Sequence, residues 1–231
     1  MKILAHIPNA LTSLNLLSGM FGIYYVLHGD IHIGAYFVFA AAFFDFFDGF
    51  AARLLRVSSE IGKQLDSLAD LVTFGVLPAF MMMRMISGSG DAAWLHFLAF
   101  GIAVFAALRL AKFNIDTRQT DRFIGVPTPA VALFVSTLPY FFSNFPEISK
   151  QLQQPIPLVV ISATLCVLMV IELPLIALKF KTFAPAPNLY RYAVIAIGLG
   201  SILILGIAGI PLVIISYILL SILEVVVSKN G

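Results

Sequence analysis

Hydrophobic residues in this chain fall into long runs with few polar interruptions, not into alternating stripes or narrow helical faces. Eight such runs can be marked: Leu11–Leu27, Ile33–Leu55, Ile61–Ile86, Ala92–Phe113, Pro127–Phe145, Pro157–Phe180, Leu189–Ala208 and Ile210–Val227. Each approaches the roughly 20 apolar residues that a membrane-crossing helix needs. Met1–Asn9 reads as a short amphipathic entry, and Gly209-Ile-Pro211 as a tight turn between the last two runs. The longer connections are Asn114–Val126, Pro146–Ile156 and Lys181–Asn188, with Asn144–Gln154 expected as an outer loop. Strands are not expected, because helices alone satisfy the backbone within lipid. The pattern predicts an all-α, polytopic transmembrane bundle of about eight spans, one domain over residues 1–231, with no internal repeat.

Composition strengthens that picture. Of 231 residues, 60% are hydrophobic and only 11% charged, and the mean hydropathy is +0.99. A water-soluble domain carries about twice that charged fraction. A net charge of +2 is too small to suggest nucleic acid. The single cysteine, Cys166, excludes an intrachain disulfide, and His6, His28, His32 and His96 lack zinc-ligand spacing. The N-terminus lacks the features of a cleaved signal, so the first run is expected to be retained. In an eight-span arrangement the fourteen basic residues divide twelve to two: only Arg84 and Lys150 fall on the second side. Such asymmetry predicts that both termini are cytoplasmic, in a multi-pass protein of the cell membrane.

Into this apolar background the chain inserts four carboxylates. Asp45 and Asp48 are spaced i, i+3, and Asp66 and Asp70 i, i+4, so each pair shares one helical face. Two structural readings are open: a capping or solvated rim, or an interfacial charge cluster with Arg53, Arg56 and Lys63. Against them stands the general expectation that ionisable groups in a membrane span are functional. Four converging carboxylates repel one another unless cations lie between them. The whole pattern, Asp-x2-Asp-Gly-x2-Ala-Arg-x8-Gly-x3-Asp-x3-Asp over Asp45–Asp70, resembles the signature of the CDP-alcohol phosphotransferase family at every position. The resemblance implies an enzyme that moves a phosphoalcohol group from a CDP-linked donor to a hydroxyl, releasing CMP. It implies that Asp45, Asp48 and Asp66 hold Mg²⁺ or Mn²⁺, that Asp70 shares the metal or acts as general base, and that Gly49, Ala52 and Gly62 let the nucleotide approach. Small residues also serve plain helix packing. Arg53 fits either a phosphate contact or the membrane boundary. The active site would face the cytoplasm.

Further stretches, Ile7–Gly19, Gly62–Asp70, Arg109–Asn114 and Gly125–Pro129, resemble integral-membrane phosphatidylserine synthases over roughly the first 130 residues. That resemblance implies CDP-diacylglycerol and L-serine as substrates, and a homodimer in the lipid bilayer. A serine carboxylate needs cations, and Arg109, Lys112 and Asn114 are the candidates. Interfacial topology is the competing explanation of the same basic residues. Lys112 stands where arginine is more usual, keeping charge without the planar fork. Thr12 and Asn15 share a face of the first helix, as caps or as nucleotide contacts. Arg118 and Arg122 read as loop charge or lipid contacts. Glu172 is expected to pair with a basic residue beside a kink at Pro174. The Phe43–Phe50 and Met81–Met85 clusters read as packing. The alternative activity is another transferase of this family, such as a phosphatidylglycerophosphate synthase. A transporter is the reading from a different class.

Overall fold

The computed structural model describes residues 6–57, 59–87, 94–116, 123–177, 180, 182–185 and 188–230, with only the backbone for Phe123 and residues 228–230. Lys2, Arg118, Arg122, Lys179, Lys181 and the side chain of Lys229, assigned above to topology or loop charge, lie outside the described set.

Among the described residues the chain is helical almost throughout: α1 (His6–Leu27), α2 (Ile31–Leu55), α3 (Glu60–Ser87), α4 (Leu95–Ile115), α5 (Thr128–Asn144), α6 (Pro146–Leu152), α7 (Pro155–Val170), α8 (Leu189–Leu205) and α9 (Ile210–Asn230). Five stretches are long and apolar enough to cross a bilayer, or six if the bent pair α6–α7 counts as one. The last of them, Leu189–Val227, has 39 residues. Extended as one rod it would exceed the ~30 Å hydrocarbon core. It folds back at a 3₁₀ turn, Gly206–Gly209, so that a Cβ placed on Gly198 would lie 3.5 Å from Val213 Cγ1. The reversal comes three residues before the expected Gly209-Ile-Pro211 turn. Large apolar side chains such as Phe46, Leu54, Leu203 and Ile204 are mostly exposed on the outside of the bundle, as a protein solvated by lipid requires. The fold is an all-α polytopic membrane bundle.

α3 is the central element. More than half of its apolar window is buried, against about a third or less for the other spanning stretches. Phe74, Leu77, Met81, Met82 and Ile86 form its inner face, so the Met81–Met85 cluster is packing, as expected. α1 lies close against it. A Cβ on Gly19 would approach Thr73 Oγ1 to 2.6 Å, and one on Gly22 would approach Leu77 Cδ2 to 2.5 Å. Small residues permit that approach where apolar burial gives helices no drive to associate.

Several features depart from the pattern-based expectations. Residues 6–9 of the expected entry segment belong to α1, and residues 1–5 lie outside the described set. The supposed outer loop contains a helix, α6, set at 81° to α7. Pro146 and Pro155 start these two helices, where a missing N–H costs nothing. α7 stops at Val170, before Glu172 and Pro174, so there is no kinked helix at that proline. Instead Pro174–Leu175 pairs antiparallel with Phe123–Ile124, a two-residue ladder where no strand was expected. Gly125 N and Val126 N donate to Leu173 O and Leu168 O, both at 2.9 Å, fastening the entry of α5 to the end of α7. Proline could not continue α7, and the freed carbonyls find donors in a neighbouring chain segment.

Candidate active site

α2 ends at Arg56, whose left-handed backbone (φ 52°) closes the helix. α3 starts one short turn later under an N-cap, Ser59, whose Oγ accepts from Gly62 N at 2.9 Å. The tight reversal places the carboxylates of α2 opposite those of α3. α1 packs against both and forms the back wall. Between the three helices is a cavity of about 360 Å³, lined by Thr12, Asp48, Gly49, Ala52, Gly62 and Asp66, and also by Pro8, Asn9, Val57, Ser59 and Lys63.

Oxygens from Asp45, Asp48 and Asp66 all lie within 4.8 Å of one another. Asp48 is buried and accepts from Thr12 Oγ1 at 2.7 Å. One oxygen of Asp66 is buried and has no hydrogen-bond partner. Asp70, one turn deeper on α3, lies within electrostatic reach of Asp45, Asp66 and Asp48 but outside that close triad. Its Oδ1 accepts from Asn15 Nδ2 at 3.1 Å. Asn15 is wholly buried, and its own Oδ1 is unpartnered. Immediately after Asp70 the helix widens into a π segment, Leu71–Val76, a distortion common at functional sites. There Thr73 Oγ1 donates to Asn15 O at 3.2 Å, locking α1 to α3 beside the carboxylates.

Among the described residues none of the four aspartates forms an ion pair, so the charge-cluster reading with Arg53, Arg56 and Lys63 does not hold. Nor are they caps, since Asp45, Asp48 and Asp66 sit within helices and turn oxygens toward one another, Asp48 and Asp66 from the cavity wall. Three hard oxygen donors within 4.8 Å, from carboxylates of which one, Asp66, has an unpartnered buried oxygen, suit a divalent cation. The cluster can bind such an ion.

The remaining candidates divide. Thr12, Gly49, Ala52 and Gly62 line the cavity, and Asn15 lies just beneath it on Asp70. Arg53 does not line it, but its guanidinium stands 3.5 Å from where a Cβ on Gly49 would be. On α4, Asn114 reaches α3: its Nδ2 donates to Ser67 Oγ at 2.8 Å, and its carbonyl accepts from Lys63 Nζ at 3.4 Å. Arg109 is buried, stacked 5.4 Å from the Phe113 ring, with Nε unpartnered. Lys112, three residues on, is exposed. The hydrophobic–polar pattern did not single out Asn9, Ser59 or Ser67. Asn9 and Ser59 became visible only as walls of the cavity, and Ser67 only as the partner of Asn114. Lys63, read as topology, is a wall residue too.

The profile of the CDP-alcohol phosphatidyltransferase family matches residues 5–178, three-quarters of the chain, including all four helices described above. The chain belongs to this family. Similar curated proteins include a CDP-diacylglycerol–serine O-phosphatidyltransferase of Bacillus subtilis, 37% identical over 142 residues, covering 60% of this chain and 77% of that protein. A protein of the same name from Helicobacter pylori is 35% identical over 130 residues, 55% of this chain and 54% of its own length. An archaetidylserine synthase of Methanothermobacter thermautotrophicus is 32% identical over 146 residues, 62% of this chain and 61% of that protein. The chain thus spans most of the Bacillus relative and little more than half of the other two.

Proposed function

We propose that this transferase moves the phosphatidyl group of CDP-diacylglycerol to the hydroxyl of L-serine, forming phosphatidylserine and releasing CMP. The observation that carries the proposal is the meeting of Asp45, Asp48 and Asp66 oxygens beside the cavity that Asp48 and Asp66 line, with Asp70 held by Asn15 a turn below. The serine acceptor is supported by the names of the relatives.

Asp45, Asp48 and Asp66 would hold Mg²⁺ or Mn²⁺, with Asp70 at the edge of the set. When bound, the ion neutralises the donor's pyrophosphate and favours departure of CMP. Thr12 fixes the orientation of Asp48 through its hydrogen bond. Gly49, Ala52 and Gly62 leave room along the helices for the cytidine nucleotide, and Arg53 supplies charge beside its phosphates. Asn15 occupies Oδ1 of Asp70, so Oδ2 is the oxygen that takes the proton of the serine hydroxyl. A bond then forms between serine oxygen and the lipid phosphorus, and the bond from that phosphorus to the CMP oxygen breaks. Arg109, with a free Nε, meets the serine carboxylate together with Asn114. Lys112, exposed on the same helix, contributes charge at the entrance. We further propose eight crossings, cytoplasmic termini and site, and a homodimer in the cell membrane, following the charge asymmetry and the family.

Purified protein in lipid nanodiscs should release CMP from CDP-diacylglycerol when given L-serine, and EDTA should stop it. Release with glycerol 3-phosphate or inositol but not serine would remove the acceptor assignment. Substrate flux across sealed vesicles without CMP release would favour a transporter.

A further inference from the structure

Arg84 and Lys150 are the two exceptions to the charge asymmetry, and the fold brings them to one place. They line a second cavity of about 740 Å³ at the far end of the bundle, with Ser143 and Gln153 beside them and the buried side chains of Phe142 and Leu158 behind. Arg84 lies eighteen residues after Asp66 on α3. At 1.5 Å per residue that is about 27 Å along the helix, close to the thickness of a bilayer core. The two cavities therefore belong to opposite membrane faces.

This second cavity is basic. Among the described residues no Asp or Glu lines it, and neither Arg84 nor Lys150 forms an ion pair. The Arg84 guanidinium rests on the α1–α2 turn, with Nη2 3.5 Å from where a Cβ on Gly29 would be. Gly29 itself has φ +102°, so the turn demands glycine and leaves that space clear. Lys150 arrives from α6, the helix that the apolar pattern did not foresee, which the 81° bend carries across the bundle end. Interfacial cations usually extend separately into water. Here two line a single concavity together with the side-chain amide of Gln153.

We propose that this cavity binds the phosphate of an anionic phospholipid headgroup from the leaflet opposite the carboxylate site. A guanidinium grips phosphate oxygens through paired hydrogen bonds, and an ammonium adds a point charge. The volume exceeds what a bare phosphate fills and lies in the range of sites for larger groups. The apolar inner wall suits the first carbons of a lipid, and cations at headgroup depth favour anionic lipids.

The test uses full-length protein in detergent, with native mass spectrometry against phosphatidylglycerol and phosphatidylcholine. Phosphatidylglycerol should be retained by the wild type and bound at least about tenfold more weakly by R84Q/K150Q, the lower limit for losing two charge-assisted contacts that are open to solvent. R84K/K150R should restore most of the binding. CMP release by the double variant should stay near the wild-type rate, which shows that it is folded. If that rate falls, the single variants R84Q and K150Q carry the comparison. Equal retention of phosphatidylglycerol by wild type and variants overturns the proposal. Displacement of the lipid by millimolar inorganic phosphate, with the same dependence on Arg84 and Lys150, overturns the lipid assignment in favour of a free anion.

Discussion

Neutralising one carboxylate of the triad should stabilise the metal-free protein while abolishing its activity. Asp66→Asn is the sharpest case, because its buried oxygen lacks any partner and its charge faces Asp45 and Asp48. Two full charges 4.8 Å apart repel by about 3.5 kcal/mol at an effective dielectric of 20. Water in the open cavity reduces this, and the new amide can donate to a neighbouring carboxylate, so a net gain of about 1–3 kcal/mol is expected. For a chain of this length that corresponds to an apparent Tm higher by roughly 3–10 °C. The assay is thermal unfolding in detergent with EDTA, followed by the same scan at rising Mg²⁺. The wild type should start lower and climb as the ion binds, since a ligand selective for the folded state stabilises by mass action. Asp66→Asn should start higher and respond little. If the variant were no more stable in EDTA, or kept the full Mg²⁺ response, the carboxylates would not form a shared cation site.

Other outcomes follow from the same geometry. Asp70→Asn should leave CDP binding within a few-fold of wild type, by calorimetry, while CMP release falls by about 10²–10⁴, the usual weight of a general base; equal losses of both would make Asp70 only a ligand. Thr12→Val keeps the shape but removes the 2.7 Å bond to Asp48. A hydrogen bond to a charged group is worth about 1.5–3 kcal/mol, so Tm should fall by several degrees, and kcat/KM should drop by up to about 150-fold as Asp48 loses its fixed orientation. A Cβ added at Gly49 has the Arg53 guanidinium as its nearest neighbour, at an ordinary 3.5 Å, so Gly49→Val should fold, fill part of the cavity and raise KM for CDP-diacylglycerol. Arg109→Gln should raise KM for serine by about tenfold or more and leave that for the donor unchanged, as expected when a charge-assisted contact to one substrate is lost.

The apolar runs and the aspartate spacing determine much of this protein without any tertiary information. A chain with runs this long must be helical in lipid, because no other open structure satisfies its backbone. Carboxylates at i, i+3 and i, i+4 must share helical faces wherever those helices lie. Family resemblance adds the chemistry, since the spacing across two helices leaves few alternatives. What lay beyond the pattern were contacts between helices and breaks within them. Whether Asp48 meets Thr12, Asp70 meets Asn15, or Arg109 is buried while Lys112 is exposed depends on how each helix is rotated and how closely Gly19 and Gly22 let α1 approach α3. The π segment after Asp70 changes that rotation midway, and an apolar run carries no mark of it. The early end of α7 and the helix in the supposed outer loop follow from prolines whose effect depends on the partners waiting nearby. The same dependence explains Arg84 and Lys150, which read as scattered exceptions along the chain and become neighbours only when α6 crosses the end of the bundle. Hydropathy is a property of each segment, whereas a site is made by side chains from several segments, and only packing decides which of them meet.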